Sequence, residues 1–156
     1  MHKPLALAAL CALSFPALAS ADALLDRNQA ASTAQAQASQ AFLVARVPEL
    51  AAVLPPSEWT PEMIAVAECT LDGVRAERGD AGVEEFVAAT EEWAAMPVTS
   101  FTGMGENMPA VLSDSLSMEL AQSCGGMELA MRQMQESGML AVLQQPDVMQ
   151  RLMAIE

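Results

Sequence analysis

The chain has 156 residues, and its 20 Asp and Glu outweigh 7 Lys and Arg to give a formal net charge of −13. A surface this acidic repels the phosphates of nucleic acid and the headgroups of anionic lipids, because both need cations that displace counterions. Only 4% of residues are aromatic, β-branched residues are sparse and no stretch alternates with a period of two, so the expected class is all-α.

Residues 1–21 have the layout of a cleavable secretory signal peptide. His2 and Lys3 form a short positive start, Leu5 to Leu13 is an apolar run too short to span a membrane, and Pro16 opens a small-residue segment. Two cutting sites compete. Ala17-Leu18-Ala19 directs cleavage before Ser20, and Ala19-Ser20-Ala21 directs it before Asp22 with the more ordinary spacing after Pro16. The expected location is outside the cytoplasm, in the periplasm or otherwise extracellular, with no membrane span after cleavage. Removing the leader also removes Cys11, Lys3 and His2, the chain's single histidine. Cys69 and Cys124 then remain as an even pair in an oxidising space, which predicts one structural disulfide. Neither has the close partner or cationic neighbour of a redox-active thiol.

Asp22 to Val47, rich in Ala and Gln, reads as a helix, with Ala30, Ala34, Ala38, Ala41 and Ala45 as a small-residue stripe suited to close packing. The run from Asn28 to Gln40 lacks any large apolar side chain, which leaves docked and loosely held arrangements both open. Pro48 stops this helix and Pro55-Pro56 marks a turn. Residues 22–56 therefore read as an N-terminal helix and linker, and 57–156 as a disulfide-stapled helical domain.

Thr60-Pro61-Glu62 supplies a cap, a proline at the first helical position and an acid in the first turn. The helix runs to about Arg78 and ends at Gly79. Met63, Ile64, Ala67, Leu71 and Val74 form one apolar stripe and Val66, Cys69 and Gly73 a second, which places this helix centrally. Asp80 can cap the next helix, Gly82 to Met96, with Val83, Phe86, Val87 and Thr90 inward and Glu84, Glu85, Glu91 and Glu92 outward. Pro97 closes it, and 98–107, with Gly103 and Gly105, reads as the longest loop.

From Pro109 onward, Leu112, Leu116, Leu120, Cys124, Met127, Met131 and Met134 recur at steps of three and four. Each residue of Gly125-Gly126 costs about 1 kcal/mol inside a helix, yet the seam keeps its phase across the pair, which favours one long kinked helix over two. Ser137-Gly138 ends it, Met139 to Gln144 is a short turn, and Pro146-Asp147 opens a last helix through Ile155. The expected architecture is a single-domain bundle of five or six helices, its disulfide joining the central helix to the long C-terminal one.

A processed chain without histidine or lysine holds no Ser-His-Asp or Cys-His arrangement, no Schiff base and no P-loop. Carboxylates and thioethers remain. Glu84-Glu85 and Glu91-Glu92 lie on a solvent face, where acids keep ordinary pKa values, whereas a carboxylate hydrolase needs one raised and one ionised acid. Glu68 and Asp72, one turn apart, offer two oxygens to a divalent cation, with Arg75 as a competing partner. Methionine is abundant at 12 residues, and Met104 and Met108 flank Glu106. Met127, Met131 and Met134 share one helix face, either as core, as a pliable partner groove, or as soft ligands for Cu(I). Trp59 and Trp93 read as packing residues at the core margin.

The functional expectation is an exported, non-enzymatic helical binding or structural module of the cell envelope that takes a protein or a small apolar ligand and needs no cofactor. A Cu(I)-binding protein using Met127, Met131 and Met134 is the alternative, and a carboxylate hydrolase the second.

Overall fold

The computed structural model describes residues 20–154; residues 1–19 of the expected leader, Cys11 among them, and Ile155 at the far end lie outside the described residues, while Ser20 and Ala21, the last two residues of that leader under cleavage before Asp22, belong to the start of α1. Among those described there is no strand. The order is α1 (Ala21–Arg46), a 3-10 turn (Pro48–Ala52), α2 (Pro61–Ala95), α3 (Gly103–Glu106), α4 (Ala110–Ser113), α5 (Ser115–Ser123), α6 (Gly126–Glu136), α7 (Met139–Leu143) and α8 (Pro146–Met153). None of these helices is long and apolar enough to cross a membrane.

The helix starts follow side-chain capping chemistry. Ser20 Oγ accepts the Ala23 N–H at 3.3 Å to begin α1, and Thr60 Oγ1 accepts the Met63 N–H at 3.2 Å, with Pro61 next in line, to begin α2. Gly79 breaks α2 at φ 69°, ψ −175°, a conformation open to glycine because it lacks a Cβ. The break turns α2 into two halves, 61–78 and 80–95, that can face each other.

Leu24 of α1 fills the space between them. It packs with Leu71 and Val74 of the first half and Val83 and Val87 of the second to form one core. A second core gathers Leu43 at the other end of α1, Val47 and Leu50 of the 3-10 region, and Val148 and Leu152 of α8. The N-terminal helix is thus docked at both ends. Arg27 adds an electrostatic clamp, with Nη1 on Glu84 at 2.5 Å and Nη2 on Glu91 at 2.7 Å.

The face that α1 buries is not the alanine stripe. Ala30, Ala34, Ala41 and Ala45 are exposed and Ala38 half-buried, while Leu24, Asn28, Ala31, Gln35 and Leu43 are buried. Burial scales with apolar area, and two leucines outweigh several methyl groups in setting the rotation of the helix. Asn28 and Gln35 are carried inward with them.

The long C-terminal helix is also corrected, along with the helix count. Among the described residues eight α-helices and a 3-10 turn stand where five or six helices were expected: the chain breaks at Asp114 and at Gly125 inside the expected kinked helix, ends it at Gly138 as expected, and forms α3 and α7 where a loop and a turn were expected. Asp114 is extended and caps α5 by accepting the Ser117 N–H at 2.9 Å, and Gly125 and Gly138 adopt φ 79° and φ 83°. The left-handed residue at Gly125 resets the helical phase, so the leucine seam is not continued: α6 turns Leu129 inward and leaves Met127 and Met131 exposed. The expected disulfide forms between Cys69 of α2 and Cys124, with Cα atoms 5.8 Å apart, but Cys124 is the C-cap of a nine-residue helix. Leu120 lies over Gly73, where a Cβ would strike its Cδ2 atom. Arg78 bonds Asp114 at 2.6 Å, and Arg132 bonds Glu62, so α5 and α6 are held to α2 by several kinds of contact.

The expected loop 98–107 contains α3. Ser100 Oγ accepts the Gly103 N–H at 2.9 Å, and Phe101 and Met104 pack against the second core, which gives the segment apolar anchors. Met139 to Gln144, expected as a turn, closes into α7 against the same core.

Candidate functional site

The reversal at Gly79 places residues far apart in the chain around one apolar cavity of about 270 Å³. Ala67, Thr70 and Leu71 come from the first half of α2, and Phe86, Thr90 and Trp93 from the second. Asn28 and Ser32 of α1 and Met108 and Leu112 complete the wall. Thr70 Oγ1 donates to the Val66 carbonyl at 2.9 Å and Thr90 Oγ1 to the Phe86 carbonyl at 3.0 Å. These bonds satisfy both hydroxyls within their own helix, so the wall behaves as largely apolar.

Asn28 is different. It is 7% exposed, lines the cavity, and its amide bonds no other group among the described residues. The amide is the polar end of a largely buried side chain and opens onto the cavity, so a ligand that filled the cavity without bonding it would leave it unpaired, at about 1–3 kcal/mol. Its presence on a face otherwise set by Leu24 and Ala31 marks the cavity as a place where a hydrogen-bonding group from elsewhere would be stabilised.

A second cavity of about 230 Å³ shares Ala67 as a wall and lies against Trp59, Met63, Val66, Gly126, Leu129 and Gln133. It exists because α6 approaches α2 closely: a Cβ on Gly126 would stand 3.3 Å from Val66 Cγ1. For scale, a dry cavity of roughly 150 Å³ accommodates benzene.

The sequence-predicted residues are distributed as follows. Met127 and Met131 are 49% and 46% exposed, Met134 is half-buried, Met104 belongs to the second core and Met108 to the Asn28 cavity. Cys69 and Cys124 are joined. Glu84 and Glu91 are bonded to Arg27, and Glu85 and Glu92 are exposed. The Arg27 guanidinium holds the Glu91 carboxyl below the usual range. Arg151 does the same to Glu49, and the Ser117 N–H, followed by Arg78, does it to Asp114. Each of these acids moves away from the raised pKa that a proton donor needs. Glu68 and Asp72 line a pocket of about 200 Å³ with Asp22, but Arg75 takes Asp72 at 2.6 Å and Asp80 at 3.0 Å. Among the described residues no three acids, histidines or cysteines come together as a metal cage.

Both tryptophans, expected at the core margin, line the two cavities. The signal in the sequence was the polar pair Asn28 and Gln35, spaced seven apart on the face that carries Leu24. Gln35 is 4% exposed, and its Oε1 has no partner. Compared with protein-family models, with curated proteins and with solved structures, the chain matches none of them.

Proposed function

We propose that this is an exported, non-enzymatic helical module that binds a small apolar ligand in the cavity between α1 and the two halves of α2. Asn28 carries the reading, as a buried amide without an internal partner in a wall made of Leu71, Phe86, Trp93 and Leu112. Concave, mainly apolar sites with few polar groups are the usual form of small-molecule sites. Export is supported by the leader-like layout of residues 1–21 and is compatible with the Cys69–Cys124 bond. A single domain is supported by α1, which gives Leu24 to one core and Leu43 to the other.

The test is titration of the full chain with N-phenyl-1-naphthylamine, a neutral dye whose emission rises on leaving water. Enhanced emission that is lost in Ser32→Phe, with far-UV circular dichroism and unfolding midpoint unchanged, is the expected result. No enhancement, or enhancement retained in Ser32→Phe, overturns the reading.

The exposure of Met127 and Met131 on one face of α6 favours a second reading, Cu(I) capture by Met127, Met131 and Met134. Stoichiometric Cu(I) binding that disappears in the triple Met→Leu variant supports it, and absence of binding sinks it.

A further inference from the structure

Resting on the cavity reading above, we infer that the ligand is an uncharged amphiphile, an apolar ring or chain bearing one neutral hydrogen-bonding group such as a hydroxyl or amide, and that Asn28 recognises that group. The walls of the Asn28 cavity and of its neighbour across Ala67 contain no charged residue. A carboxylate or sulfonate entering either one would leave water without meeting a cation, which is the costliest way to bury a charge.

The arginines offer no relief. Arg27 is held by Glu84 and Glu91, Arg75 by Asp72 and Asp80, Arg78 by Asp114, Arg132 by Glu62, and Arg151 by Glu49 and Asp147. Arg46 lies over the Phe42 ring with Cζ 4.3 Å from its centroid and reaches the Thr99 carbonyl; it lines neither cavity. An anionic ligand also approaches a chain of net charge −13 against its field. A purely hydrocarbon ligand is tolerated by the walls but displaces water from the Asn28 amide and gives it no partner in return. A neutral hydroxyl answers both conditions, since the amide oxygen can accept its proton and the amide N–H₂ can donate to its oxygen. Rejection here comes from buried groups left unpaired, which discriminates more sharply than apolar fit.

The experiment compares three ligands of one skeleton, naphthalene, 1-naphthol and 1-naphthoate, by calorimetric titration of the full chain at pH 7, with Asn28→Leu alongside. The expected order is 1-naphthol above naphthalene by about fivefold, the size of one net hydrogen bond, and 1-naphthoate weaker than 1-naphthol by more than about tenfold. In Asn28→Leu the preference for 1-naphthol over naphthalene disappears while naphthalene still binds, which also shows that the variant is folded. If naphthalene and 1-naphthol bind alike in the natural chain, or 1-naphthoate binds as well as 1-naphthol, the inference fails and the cavity reading stands. If none of the three binds, the cavity reading itself fails.

Discussion

Replacing both cysteines, Cys69→Ala with Cys124→Ala, isolates what the disulfide does. The bond closes a separation of 55 residues, and the chain-entropy relation gives about 4 kcal/mol at 25 °C for a loop of that length. At about 2.1 cal/mol/K of unfolding entropy per residue, over the roughly 135 described residues, that corresponds to a fall in Tm of about 14 °C. The native state should change little. Cys69 is exposed and Cys124 half-buried, and the variant keeps Leu120 over Gly73, Arg78 on Asp114 and Arg132 on Glu62. Urea unfolding followed by circular dichroism is the assay, with the natural chain measured in parallel with and without reductant. The midpoint should fall and the slope m should rise, because the unfolded chain without its crosslink exposes more surface. A loss under about 1 kcal/mol with unchanged m would refute the reasoning, since the bond would then be acting on neither the unfolded nor the folded ensemble.

The Arg27 clamp predicts a pH effect through Glu91, whose folded pKa is depressed by the guanidinium. The stabilisation is complete above the unfolded value of about 4.3 and is lost as pH falls through the folded value. Because acidification also relieves repulsion among the carboxylates, the readout is a comparison: midpoints from pH 6 to 3 should fall less steeply in Glu91→Gln than in the natural chain, and parallel curves would remove the clamp from the account. Gln35→Leu should stabilise the protein by about 1 kcal/mol in urea unfolding, because it removes a buried acceptor without a partner; a destabilisation would mean that the amide has a role beyond packing. Gly125→Ala should cost about 1–2 kcal/mol through backbone strain alone, since φ is 79° and a Cβ there meets nothing within 4 Å. A neutral result would show that α5 and α6 can merge into the long helix suggested by the side-chain spacing.

What the sequence disclosed depended on whether the informative signal was local. Thr60-Pro61 and Gly79 act through their own backbone chemistry, and the structure starts and breaks α2 at those residues. The cysteine pairing was legible from parity, which needs no geometry. The seam from Leu112 to Met134 reads as one helix because its spacing is uninterrupted, but spacing is a property of side chains whereas termination is decided by the backbone. A residue at φ 79° ends a helix whatever follows it, so Met127 and Met131 leave the face that Leu120 occupies. Asp114 gave the matching clue, because a short acid three residues before Ser117 can take the helix N–H groups that a continuous helix would keep.

The cavity was hidden for a different reason. Periodicity finds a buried face by its apolar residues, and on α1 two of the five buried positions are Asn28 and Gln35. Those amides made the true face look mixed and let the alanine stripe look cleaner, although alanine methyl groups bury too little area to orient a helix. Local consistency breaks down where a fold holds something that does not serve stability. Leucine at position 28 would give the cavity a fully apolar wall at that point, whereas asparagine keeps a hydrogen-bonding group on it that water meets in the empty protein and a ligand's polar group can meet in its place. Gln35 differs, because its Oε1 is buried without a partner and it does not line the cavity. Gln35→Leu and Asn28→Leu therefore separate the two cases: the first should stabilise the empty protein by removing a buried acceptor without a partner, and the second alone should abolish the preference for a hydroxyl.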